Sequence, residues 1–266
     1  MKEITGNTQV FGIMADPIHH VKAPPKINRL FAEKSIDGVM VPMHVKGEDL
    51  ALFVLALRAM HNFGGCVVTV PHKMAMVALC DELTPEARQV GAVNIVHRTA
   101  TGRLIGGILD GTAFVAGLRE EAFEPRGKSI YLAGAGGAAS AIAFALVKIG
   151  ASRLTIANRT PMKAQQLVDK IREVFPKLLI AVGDNDATGH DLVVNATSLG
   201  LRIEDQLPLH VQTLTSSQHV AEIIMQPAET PLVLAARERG CSIHLGATML
   251  SCQIELMAAF MMGSIA

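Results

Sequence analysis

The sequence has no excess of charge of either sign: 24 Lys and Arg stand against 24 Asp and Glu, with no basic run or stripe among them. A nucleic-acid surface is therefore not expected. The four cysteines, Cys66, Cys80, Cys241 and Cys252, form no CxxC pair and no Cys/His cluster with zinc spacing, so no metal site is expected. They read as reduced, mostly buried thiols of a cytoplasmic protein. The opening MKEITGNTQVFG lacks an apolar stretch behind a positive region, and no signal peptide is expected. Repeats, low-complexity tracts and long linkers are missing too. What is present is a globular composition: of 266 residues, 50% are hydrophobic and 18% charged, enough for two compact domains or one large one.

One stretch, residues 130–151, is nearly all apolar and raises the question of a membrane helix. It opens as a short strand, SIYLAG, and carries Gly134, Gly136 and Gly137 before an Ala-rich segment. A strand, glycine turn and helix account for that break, so a soluble chain is expected.

Strand and helix patterns alternate along the whole length. In the first part, strands are expected over residues 9–15, 39–44 and 65–70, the last ending at Pro71. A turn is expected over 22–25, with Pro24-Pro25 opening a helix to about Ser35. Further helices are expected over 49–60, over 73–80 and after Asp110, with a hairpin over 92–108. A second alternating unit starts at Lys128, with strands at 129–133, 153–157, 178–182, 191–195, 219–224 and 242–244. Helices at 138–149, 161–175 and 231–239 lie between them, and an apolar, Met-rich helix over 249–261 ends the chain. This is an α/β pattern.

The segment YLAGAGGAAS places Gly134, Ala135, Gly136, Gly137 and Ala138 directly after a strand and before a helix. Glycines there let the backbone approach a pyrophosphate, whose charge the helix N-terminus favours. The third fingerprint glycine is Ala139, a substitution the pattern allows. The next strand ends in Ala157-Asn158-Arg159-Thr160, with Lys163 one turn beyond. An acidic residue here would hold a ribose 2′-hydroxyl; cationic and amide donors instead suit a 2′-phosphate. NADP is the favoured cofactor, with NAD also admitted.

Several motifs carry a family resemblance in matching order over nearly all of the chain. They are FGIMADPIHHVKAPPKINRLF near the start, VVTVPHK at 67–73, GAVNIV at 91–96, LDG at 109–111, NATSLGL at 195–201 and GATMLSCQ at 246–253. Together they resemble the shikimate dehydrogenase family. The resemblance implies a two-domain α/β fold: an N-terminal substrate domain over residues 1–109 and 247–266, and a Rossmann-type dinucleotide domain over 110–246. The C-terminal helix returns to the first domain. It implies Lys73 and Asp110 as the catalytic pair, Thr69, Asn94 and Gln253 as contacts to substrate hydroxyls, and Ala196, Thr197 and Gly246 near the cofactor. A homodimer is the partner assembly considered beside the small-molecule substrate. Hydride can leave a carbinol carbon only if the hydroxyl proton is taken up as the carbonyl forms. Either Lys73 or Asp110 can move that proton.

The departures from the family pattern are chemical. Two serines of the family's PIxHSxSP motif, which hold the substrate carboxylate, are Val21 and Ala23 here. The asparagine before VTVP is Val67, the NTDG motif is ILDG with Ile108 and Leu109, and the substrate-contacting tyrosine aligns with Met225. Hydrogen bonds to a charged group contribute about 1.5–3 kcal/mol each, so two lost serines weaken carboxylate binding by roughly two to four powers of ten. His20 and Lys22 are the nearest replacement donors; His19, His20 and His72 otherwise read as satisfied or exposed histidines.

Three functions follow. The first is a shikimate or quinate dehydrogenase, of aromatic amino acid biosynthesis or quinate metabolism, with a rebuilt carboxylate site. The second keeps the same pair of residues and acts on another small cyclic alcohol. The third is a dinucleotide-sensing regulator without chemistry, and a sensor needs none of Lys73, Asp110, Asn94, Thr69 or Gln253. The surviving hydroxyl contacts favour the first.

Overall fold

The computed structural model describes residues 3–19, 21–202 and 204–264. Its chain divides into two compact units, Met1–Leu109 with Gln253–Ala266, and Asp110–Cys252.

The first unit contains β1 (Gln9–Ala15), α1 (Ala23–Glu33), β2 (Gly38–His44), α2 (Leu50–Ala59), β3 (Phe63–Val68), β4 (Glu82–Leu83), α3 (Pro85–Val90), β5 (Ile95–Arg98) and β6 (Leu104–Gly107). Its sheet has the order β2-β1-β3-β5-β6-β4. The pairs β1/β2, β1/β3 and β4/β6 are parallel, whereas β5 runs antiparallel to β3 and β6. In α1 the apolar residues Ala23, Ile27, Leu30 and Phe31 fall on one buried face, at the spacing that makes a helix amphipathic. Strand β3 is buried along its whole length, as befits a strand inside a sheet covered on both sides.

The second unit contains α4 (Asp110–Glu120), β7 (Ser129–Ala133), α5 (Gly137–Lys148), β8 (Arg153–Ala157), α6 (Pro161–Val174), β9 (Leu179–Val182), β10 (Leu192–Asn195), β11 (His219–Glu222), α7 (Pro231–Glu238) and β12 (Ser242–His244). Helix α8 (Gly246–Met261) begins here, and its residues from Gln253 onward belong to the first unit. The sheet order is β12-β11-β10-β7-β8-β9, with every pairing parallel. That is the doubly wound order, whose crevice lies at the carboxyl ends of the central strands. Tyr131, Val193, Val220 and Leu232 are among the residues of its core. The apolar run at 130–151 is divided between β7 and α5, and among the described residues no helix is long and apolar enough to cross a membrane.

Four local expectations need correction. Residues 73–80 form a turn followed by a 3-10 segment, Ala75–Leu79, instead of an α-helix. The Lys73 carbonyl accepts the Val93 N–H at 2.8 Å, and the Val77 N–H turns to Met74 O at 3.3 Å, the tighter 3-10 pattern. Strand β3 stops at Val68: the Thr69 N–H still completes the ladder with Met14 O, but the His72 N–H then closes a turn onto Thr69 O. Helix α1 starts at Ala23, inside the stretch expected to be a turn. Helix α8 starts at Gly246 instead of Met249; Thr248 in its first turn donates to Glu121 Oε1 at 2.8 Å. The short β4 and α3 were not anticipated. Thr84 caps α3 by accepting the Ala87 N–H at 3.2 Å, and Gly91 ends it at φ 75°, both standard helix punctuation.

Asp81, just before β4, accepts from Arg58 and from the Leu104 N–H, the latter at 2.7 Å. The Arg58 hydrogen bond, first, holds its carboxyl below the usual range. A depressed carboxylate contributes stability above its unfolded value of about 3.9, lost as pH falls through the folded one. Thermal melts of Asp81→Asn should therefore fall clearly below wild type near neutral pH and converge with it in strong acid.

Candidate active site

In the first unit the candidate residues gather at the carboxyl edge of β1 and β3. Met14 pairs with Val68; beyond them Thr69 N–H donates to Met14 O at 3.1 Å and Asp16 N–H to Val70 O at 3.1 Å. The turn that follows presents the half-buried Lys73. Asn94 is 1% exposed. Its carbonyl accepts the Val68 N–H at 2.8 Å, and its side-chain Oδ1 accepts the Leu109 N–H at 2.9 Å. Successive residues, Val93 and Asn94, thus hold the backbone of Lys73 and that of the residue before Asp110. Gln253 is buried on α8.

His72 is buried, with Nε2 2.8 Å from Val45 O, so it is a satisfied histidine. Val21 is half-buried and Ala23 buried in the first turn of α1; Lys22 and His19 are exposed. His20 lies outside the described residues.

In the second unit Asp110 is the first residue of α4 and is buried. A Cβ at the adjacent Gly111 would collide with the Ala141 carbonyl of α5, so glycine is required where the two helices meet. Gly134 has φ 119°, and a Cβ there would sit 2.6 Å from Ala196 O. This brings the glycine turn against Ala196 and Thr197. Gly136 faces open space and caps α5 without a side-chain hydrogen bond. The first turn of α5 therefore offers backbone N–H groups on a surface free of side chains, as a pyrophosphate requires. Asn158 Nδ2 donates to Thr160 O at 3.0 Å, shaping the loop after β8 on which Arg159, Thr160 and Lys163 are exposed. Gly246 packs against the carbonyls of Ile223 and Ile224, at 2.6 and 2.8 Å for a built Cβ, and the neighbouring Met225 is exposed. These residues fit a dinucleotide with a 2′-phosphate.

Sequence reasoning missed Glu222. This carboxylate is fully buried at the end of β11. Oε1 accepts the Ile224 N–H at 2.9 Å, while Oε2 accepts Asn195 Nδ2 and Thr230 Oγ1, each at 2.8 Å. Asn195 Oδ1 in turn accepts the Thr197 N–H and hydroxyl at 3.1 and 2.7 Å. The loops after β10 and β11, which carry Ala196, Thr197 and Met225, share this one anchor. Burial, first, raises the Glu222 carboxyl, against the donors that favour its charged form. The only signal was an acidic residue inside an apolar strand run, HVAEII.

Burial pushes the Cys80 thiol up to about 12 and raises Cys66 as well, so neither supplies a thiolate nucleophile near neutral pH. Among the described residues no group of His, Cys, Asp and Glu is arranged to hold a metal ion.

Family models match both parts of the chain: shikimate dehydrogenase substrate binding domain over residues 13–96 and shikimate / quinate 5-dehydrogenase over residues 118–219. The chain belongs to the shikimate dehydrogenase family. A shikimate dehydrogenase (NADP(+)) of Rubrobacter xylanophilus is 41% identical over 254 residues, covering 93% of this chain and 88% of the relative. The shikimate 5-dehydrogenase of Listeria monocytogenes, solved with shikimate and NAD, superposes with a TM-score of 0.88 at 30% identity, over 100% of this chain and 95% of that one. A 5-ketofructose reductase of Gluconobacter sp. strain CHM43, solved ligand-free, gives 0.85 at 30% identity over 96% and 93%. The family's two-domain, Rossmann-type α/β fold is thus the fold of this chain.

Glu222→Gln would face either the Ile224 N–H or the Asn195 and Thr230 donors with an amide NH2 in place of one oxygen. Leaving such a buried group unmatched costs about 2 kcal/mol, which corresponds to a fall in Tm of roughly 5 °C. Calorimetry should show that loss, together with weaker NADP binding by the loosened loops.

Proposed function

We propose that the protein is an NADP-linked dehydrogenase that transfers hydride between the dinucleotide and a ring hydroxyl of shikimate or quinate. The observation that carries the reading is the Lys73 turn. Its backbone is pinned by Val93, and the adjacent Asn94 is pinned to β3 and to Leu109, in a chain of the shikimate dehydrogenase family.

The bound dinucleotide supplies the hydride acceptor. Lys73 and Asp110 are the proposed catalytic residues, and one of them takes the hydroxyl proton as the carbonyl forms. Thr69, Asn94 and Gln253 are proposed to orient the ring through its other hydroxyls. The dinucleotide falls to Gly134, Ala135, Gly136, Gly137 and Ala138 at the pyrophosphate, to Asn158, Arg159, Thr160 and Lys163 at the 2′-phosphate, and to Ala196, Thr197 and Gly246 toward the reacting ring. We assign residues 1–109 and 247–266 to the substrate domain and 110–246 to the dinucleotide domain. Four free thiols support a reducing compartment such as the cytoplasm. Val21 and Ala23 favour a second reading, in which the same chemistry serves another small polyol.

Steady-state assays with shikimate, quinate and both cofactors test the reading. Lys73→Ala should lower kcat by roughly 10²–10⁴-fold while the dissociation constant for NADP holds; equal loss of both would make Lys73 structural. Arg159→Ala should weaken NADP by roughly tenfold or more and leave NAD unmoved. An unchanged NADP affinity would remove Arg159 from the 2′-phosphate site.

A further inference from the structure

At the carboxyl edge of the first sheet the polar groups are unevenly distributed. Thr69, Lys73 and Asn94 lie where β3 ends and β5 begins. The segment leaving β1 at the same edge ends in the first turn of α1, whose described residues bring few backbone donors. Its N-cap, Lys22, makes no side-chain capping hydrogen bond, and prolines occupy the second and third helical positions, Pro24 and Pro25. Proline has no N–H, so of the first three helical residues only Ala23 brings a backbone donor. The flanking side chains are Val21, half-buried, and Ala23, 4% exposed; on β3 the inward neighbour Val67 is also 4% exposed. Asp16, whose Oδ1 lies 2.8 Å from His44 Nε2, adds a carboxylate to this edge.

A helix N-terminus favours an anion through its N–H groups and its dipole. Here two prolines have removed part of that provision, and among the described residues Val21 and Ala23 give the turn an apolar lining beside the exposed Lys22. A carboxylate placed against them would lose its water without acquiring donors, whereas an uncharged group would lose little. We propose that the enzyme takes ring polyols whose end facing α1 is uncharged, and that it does not require a carboxylate there. The inference rests on the dehydrogenase chemistry of that reading and favours its second form, an uncharged small polyol, over shikimate and quinate.

The test compares kcat/KM for shikimate with that for its methyl ester and its carboxamide, using the full chain and NADP. The ester and the amide should equal or exceed the acid. A preference for the acid of roughly tenfold or more, a single charge-assisted hydrogen bond, would overturn the proposal. If that preference vanished in Lys22→Ala, the carboxylate would belong to Lys22. The double variant Val21→Ser with Ala23→Ser should shift selectivity toward the acid by tenfold or more; no shift in a folded, NADP-binding variant would show that this turn does not face the substrate and overturn the proposal. Oxidation of none of the three compounds, with NADP still bound, would instead overturn the dehydrogenase reading and this inference with it.

Discussion

The first unit depends on how two neighbouring residues use their hydrogen-bonding groups. Val93 gives its N–H to the Lys73 carbonyl, and Asn94 gives its side-chain oxygen to the Leu109 N–H. Both bonds are made beside the buried ladder of β3 and β5, where a lost partner leaves an unsatisfied group. They fix the backbone on which Lys73 stands and the residue from which Asp110 departs. They also dictate a local irregularity, since the carbonyl taken by Val93 is withdrawn from the helix that residues 73–80 would otherwise form. A functional turn is thus made by denying a helix its first acceptor.

The second unit meets a different demand, the approach of an anionic cofactor to bare backbone. Gly134 lets β7 pass against Ala196, and Gly136 opens the start of α5. The loops facing them are held by a buried carboxylate, Glu222, that collects donors from Asn195, Thr230 and Ile224. A charged group in such a place is tolerated only when its hydrogen bonds are filled. One side chain therefore joins the ends of β10 and β11 into a single support.

Much of this was legible in the sequence. The parallel strands of the second unit are short apolar runs, and the glycine turn breaks them from α5 at a chemically required point; both features survive without knowledge of the fold. Helix α3 escaped notice because six residues with one Thr cap carry no apolar stripe. The Lys73 segment misled because its apolar spacing, Met74, Met76, Val77 and Leu79, mimics a helix, and only a bond to Val93, distant in sequence, contradicts it. Glu222 and Asn195 were invisible as a pair for the same reason: their contact spans 27 positions and has no spacing signature. Local patterns reveal elements, whereas side chains that serve two segments at once emerge only when the segments meet.

Hydride transfer itself is most directly tested by isotope. Substrate carrying deuterium on the carbon of the reacting hydroxyl would be incubated with NADP+ and the protein, and the reduced nicotinamide examined by mass spectrometry. The account predicts that the label passes quantitatively to the nicotinamide ring. Reduced cofactor without the label, or labelled substrate recovered unchanged beside tightly bound NADP+, would contradict it.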